Sequence, residues 1–211
     1  MILSRLHIAL MIAVVVIDVT FVGALPRSQG SPPPPPPPLA DYSPTTWARY
    51  SFDDGRFSAR FPGKPVESVE NPPSGVNAPP KHDVGFKGLL TYNVSYVDFP
   101  VVLEQRVKIE DLLQGTKGAM LRSLADPESR IVAEHCIDVG GYKALFFEID
   151  RGQKETYRFE IIPVGKRLYV VSVAGRRGSA DELEGADNFE KIARGFFESL
   201  QVSDTPAAKP N

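Results

Sequence analysis

The constraint that most shapes this chain is where its prolines fall. Of 20 prolines, 15 precede residue 81, and only Pro100, Pro127 and Pro163 lie between residues 81 and 205. Proline fixes φ and donates no backbone hydrogen bond, so it is kept out of helix interiors and central strands. Regular structure must therefore concentrate in the C-terminal two thirds of the chain, and the earlier part must supply spacer and turns. The run Pro32 to Pro38 sets polyproline II, a semi-rigid rod of roughly 20 Å. Residues 25–44 read as a spacer of this kind, and residues 203–211 as a disordered tail.

Ahead of the spacer, residues 1–24 have the three parts of a secretory signal peptide. Arg5 gives a basic start, Ile8 to Ile17 an apolar run, and Val22-Gly23-Ala24 a small-residue cleavage point. The competing reading is an uncleaved anchor over residues 8–25, just long enough to span a membrane. Asp18 opposes it, because a carboxylate within a spanning helix costs roughly 3 kcal/mol. The chain is thus expected to be exported to the periplasm or the extracellular space. A membrane location is expected only if the segment stays uncleaved.

Charge and cysteine exclude several classes. With 24 Lys+Arg against 26 Asp+Glu, the formal net charge is −2, which offers no global field for nucleic acid. The single Cys136 makes no intrachain disulfide and reads as a buried structural thiol. His7, His82 and His135 have no zinc-ligand spacing. No Gly-rich phosphate loop is present, and no cofactor is expected.

Residues 45–202 read as one α+β domain. Trp47 to Phe52 and Arg56 to Phe61 form a hairpin around Asp53-Asp54-Gly55, and Val66 to Glu70 an edge strand. Asn71 to Pro80 is a loop. In the next strand Leu90, Tyr92, Val94 and Tyr96 alternate with Thr91, Asn93 and Ser95, giving one buried face. Ile109 to Leu124 keeps helical spacing of apolar residues until Asp126-Pro127, and Gly115 and Gly118 mark a close approach to the sheet.

Three strands follow at Tyr142–Asp150, Thr156–Ile162 and Leu168–Ala174, joined by short turns and so antiparallel. The first is apolar on both faces, as a central strand covered on both sides would be. A closing helix carries Ala186, Phe189, Ile192, Ala193, Phe196 and Leu200 as its buried stripe. Asp181, Glu182, Glu184 and Asp187 at its start suit the helix dipole. The sum is an antiparallel sheet covered by helices, an α/β/α sandwich.

Particular residues carry a resemblance. Trp47, Asp54-Gly55-Arg56-Phe57-Ser58, Phe61-Pro62-Gly63-Lys64-Pro65, Gly165 to Val173 and Phe196 to Val202 resemble a group of small exported bacterial domains of unknown function. That group is similar in fold to PsbP, an extrinsic subunit of photosystem II, and to a Ran-binding nuclear import factor. Leu200 stands where the group usually has Phe. The resemblance implies a PsbP-like fold and a binding or assembly role, and it brings no catalytic residues.

Candidate chemistry is sparse. In Glu134-His135-Cys136-x-Asp138, a strand would point His135 and Cys136 to opposite faces, so they make no dyad. His82 is the only other candidate base for Cys136. Glu148 and Asp150 share a strand face and read as partners of neighbouring cations. The strongest local charge runs through Arg151, Lys154, Arg158, Lys166, Arg167, Arg176 and Arg177, against Glu155 and Glu160. Arg158, Lys166, Arg167, Arg176 and Arg177 are the candidate binding surface, with no catalytic or metal residues expected. The function expected is a non-enzymatic binding or accessory module whose partner is a protein or an anionic envelope component. The alternative is a small periplasmic hydrolase with an acidic site, which requires a cleft with convergent ionisable side chains.

Overall fold

A computed structural model describes residues 44–124, 127–152, 155–176 and 186–204. The signal-peptide and spacer expectations, Lys154, Arg177 and the acids Asp181, Glu182 and Glu184 lie outside the described residues. The strands are β1 (Ala48–Phe52), β2 (Phe57–Phe61), β3 (Val66–Glu70), β4 (Lys81–Lys87), β5 (Leu90–Asp98), β6 (Arg130–Val139), β7 (Tyr142–Asp150), β8 (Glu155–Val164), β9 (Arg167–Arg176) and β10 (Gln201–Val202). The helices are α1 (Ile109–Leu124) and α2 (Ala186–Ser199), with a 3-10 turn at Leu103–Gln105.

Seven strands make one antiparallel sheet in the order β3-β4-β5-β9-β8-β7-β6, and β1-β2-β10 make a small second sheet. The α+β sandwich expected from the sequence is present, with an addition. One face of the large sheet is covered by α1, whose Leu112, Leu113, Met120 and Leu124 pack on Leu145, Phe147, Ile149 and Phe159. The other face is covered jointly by α2 and the small sheet, where Trp47, Phe57, Phe61, Phe189 and Phe196 meet Tyr92, Val94, Tyr169 and Val171. The strand alternation of β5 is what assigns Leu90, Tyr92, Val94 and Tyr96 to this second core, and none of the four is more than 5% exposed.

Three sequence expectations need correction. Strand β7 is second from the edge of the sheet, not central. Its α1-facing residues are buried, but Phe146 and Glu148 on the other face are only half-buried, because α2 and the small sheet do not reach across them. Gly115 and Gly118 do not mark a close approach. A Cβ at Gly115 would meet nothing, and at Gly118 only the Arg122 side chain. Cys136 is exposed rather than buried, since β6 is the last strand of the sheet and shields little of its own surface.

Candidate groove between the sheet and the C-terminal helix

The uncovered strip of the sheet becomes a groove of about 730 Å³. Its floor follows from strand periodicity and register. Phe146 on β7 lies between His135 on β6 and Glu160 on β8. One step along, Glu148 lies between Ala133 and Arg158. All of these side chains share the face that looks toward α2.

Helix α2 forms the wall. Phe189, Ile192, Ala193 and Phe196 are buried beneath it. Glu190, Arg194 and Glu198, spaced four apart, form a stripe along the groove for ~12 Å. Phe197, Leu200, Ile137 and Val139 add apolar surface at the end where β6 turns into β7.

Most charges in the groove are already engaged. The Arg158 guanidinium donates from Nε to Glu148 at 2.7 Å and lies 5.0 Å from the Phe189 ring centre. Arg194 pairs with Glu190 at 2.5 Å. Asp138 accepts from the Gly141 N–H at 2.8 Å and so closes the β6–β7 turn, where Gly140 and Gly141 both have positive φ. The His135 ring packs on Phe146, with ring centres 4.8 Å apart.

Glu160 differs from these. It is 7% exposed, and its Oε2 is buried without a hydrogen-bond partner. Burial pushes its carboxyl up to about 7. A perturbed titratable group lining a cleft makes Glu160 the candidate functional position of the groove. Sequence reasoning had counted Glu160 only as an offset to nearby arginines. The available signal was a lone carboxylate between Phe159 and Ile161-Ile162, in a strand otherwise suited to full burial.

Of the basic residues singled out from the sequence, Arg158, Lys166, Arg167 and Arg176 fall within the described residues. Arg167 is 4% exposed and spends its donors inside the fold. Two go to Asp98 and one to the Asp54 carbonyl, while the guanidinium stacks 4.3 Å from the Tyr96 ring centre. Arg158 faces the groove. Lys166 is exposed at the β8–β9 turn. Arg176 stands at the far end of β9 from Arg167, about 30 Å away at the rise of a strand. The turn arginine Arg151 pairs with Glu155 at 3.2 Å.

The other sequence candidates separate likewise. Asp150 pairs with Arg130 at 2.9 Å. Glu134 faces α1 and takes Lys117 at 2.7 Å, away from His135. His82 stacks on Tyr96 at 4.6 Å. It sits five strands from Cys136 in the sheet order, about 24 Å, so the two form no pair.

No protein-family model matches the chain, and no curated protein matches it. Among solved structures it is similar to PsbP of the cyanobacterium Synechocystis, with 13% identity over 74% of this chain and 92% of that one and a TM-score of 0.47. It is similar to the Ran-binding protein Mog1p of Saccharomyces cerevisiae, with 9% identity over 75% and 96% of the two chains and a TM-score of 0.47. It is also similar to LpqN of Mycobacterium tuberculosis, a protein involved in cell envelope biogenesis, with 12% identity over 80% and 98% and a TM-score of 0.41. PsbP is the fold to which the sequence motifs were likened.

Proposed function

We propose that this chain is an exported binding or accessory module that holds its ligand in the groove between β6–β8 and α2. The observation that carries this reading is Glu160, a buried carboxyl with an unpartnered oxygen in the floor of an open groove. Leaving such an atom unpaired costs free energy that a bound donor recovers. A photo-crosslinking side chain placed at His135 in the producing cells should give a discrete adduct, and the same group at Val69 on the opposite sheet edge should not. Equal labelling from both positions, or from neither, overturns the groove as the binding site. Export is tested by fractionation: a mature mass beginning at Leu25 in the soluble exported fraction is expected, and an intact N-terminus in membranes overturns it.

One observation favours hydrolysis as a second reading. A carboxyl near neutrality is suited to general acid catalysis. The arrangement around it argues for binding instead, because a second carboxylate is needed as base or nucleophile. Glu148, on the adjacent strand, is tied to Arg158. Turnover of any glycoside or ester that is abolished by Glu160→Gln would reverse this ranking.

A further inference from the structure

We propose that the groove is a binding site for a primary alkylammonium group, with the Glu160 carboxylate as its counter-charge at the floor. The proposal rests on the groove reading above and deepens it by naming the ligand chemistry.

Three observations point to a cation. Four carboxylate residues, Glu148, Glu160, Glu190 and Glu198, line the groove against Arg158, Arg194 and His135, while the bordering Asp138 accepts from the Gly141 N–H in the β6–β7 turn. Each guanidinium is paired with a carboxylate of the groove itself, Arg158 through Nε and Arg194 through Nη2, so among the described lining residues negative charge is in excess. Glu160 is the member that is buried and lacks a partner at Oε2.

The geometry selects an ammonium on an apolar stem. The carboxylate stands beside the Phe146 ring at the base of the groove, where a compact ammonium on a slim stem meets less obstruction than the planar guanidinium fork does. Phe146, Ile137 and Phe197 line the same groove as Glu160, which gives a chain of several methylenes a surface to cover. The same chemistry is carried by a lysine side chain on a partner segment and by a free amine.

Uptake of the cation should be linked to protons. Burial holds the empty Glu160 carboxyl near neutrality, and an ammonium beside it favours the ionised form. Affinity should therefore rise between pH 6 and pH 8. The titratable and charged residues that line the groove with Glu160 are Glu148 on β7, Arg158 on its own strand, His135 on β6 with Asp138 at its turn, and Glu190, Arg194 and Glu198 on α2. Because the His135 imidazole also lines the groove, the rise must persist in His135→Asn.

The test is an NMR titration of the mature protein at pH 8 with n-pentylammonium chloride and, as its neutral counterpart, n-pentanol. Amide shifts confined to β6–β8 and α2 are expected, with pentylammonium bound at least about tenfold more tightly. Glu160→Gln should remove that preference while leaving pentanol affinity unchanged, and Glu104→Gln, exposed in the 3-10 turn and no part of the groove lining, should leave it unaltered. The peptide Gly-Lys-Gly binding more tightly than pentylammonium assigns the group to a partner segment, and the reverse order assigns it to a free amine. Loss of peptide binding on Nε-acetylation supports the ammonium in the first case. Equal binding of pentanol and pentylammonium overturns the cation and leaves the groove standing. No groove shift with either probe also overturns the ammonium inference, and the His135 crosslink then decides the groove reading by itself.

Discussion

Arg167 and Asp98 face each other across the β5–β9 pairing with two parallel hydrogen bonds, Nε to Oδ1 at 2.7 Å and Nη2 to Oδ2 at 2.5 Å. The third contact of the guanidinium, to the Asp54 carbonyl at 2.8 Å, ties the β1–β2 turn of the small sheet onto the large one. The Tyr169 hydroxyl adds a bond to the Gly55 carbonyl at 2.7 Å. Together they make a polar staple between the two sheets.

A staple of this geometry needs arginine. Lysine keeps the charge but offers a point donor, so it loses the fork to Asp98, the carbonyl contact or the stack on Tyr96. Arg167→Lys should cost about 2 kcal/mol in urea unfolding, the scale of one or two charge-assisted hydrogen bonds. Lys166→Ser, one residue away and exposed, should stay within about 0.5 kcal/mol. Equal effects of the two would mean that Arg167 is not engaged in solution.

The two faces of the core should respond differently to truncation. Phe196 is fully buried, with ring centres of Phe61 and Tyr92 at 5.3 Å and 5.2 Å. Phe196→Ala should cost about 3–5 kcal/mol through lost transfer energy and the cavity left behind. Phe146 in the groove floor already borders solvent, so Phe146→Ala should cost less than about 2 kcal/mol. Chemical denaturation of the two variants measures this directly, and similar losses would show that the groove is filled in solution.

Cys136 offers a check on the edge of the sheet. Its exposure on β6 means that iodoacetamide should alkylate the native protein at a rate comparable to that of the urea-unfolded chain. Protection that lifts only on unfolding would show that something covers β6.

The elements with strong local periodicity were legible in the sequence. Helix α1 spans the same residues, Ile109–Leu124, that its apolar spacing marks, and the 2-residue alternation of β5 predicts its buried face. What escaped depends on contacts distant in sequence. Strand β4 has only Val84 and Phe86 as apolar residues, too short an alternation to mark it, and is fixed as a strand by pairing with both β3 and β5. The two-residue β10 exists only because α2 delivers Gln201 and Val202 to β2. The groove was invisible for the same reason. His135, Phe146, Glu160 and Arg194 lie far apart in the chain and are assembled by strand order. By contrast, Arg158, Lys166, Arg167 and Arg176 look like a cluster in sequence because a hairpin keeps them near in number, while β8 and β9 set Arg167 and Arg176 at opposite ends of one strand.

Glu160 gives the most direct reading of the site through pH. In the unfolded chain its carboxyl ionises near 4.5, and in the native protein burial moves this up to about 7. Between these values the native state holds the proton more tightly than the unfolded state does. Its contribution to stability is therefore fully present below pH 4.5, is lost as pH rises, and is gone above about pH 7. Glu160→Gln has the same shape and no ionisation, so it escapes this loss. The variant should gain on the wild type by about 3 kcal/mol between pH 4 and pH 8, read as the change in the difference of their urea unfolding free energies. A difference independent of pH would place Glu160 in contact with water. A pH-dependent gap that closes when pentylammonium is added would tie the strained carboxyl to the ligand that relieves it.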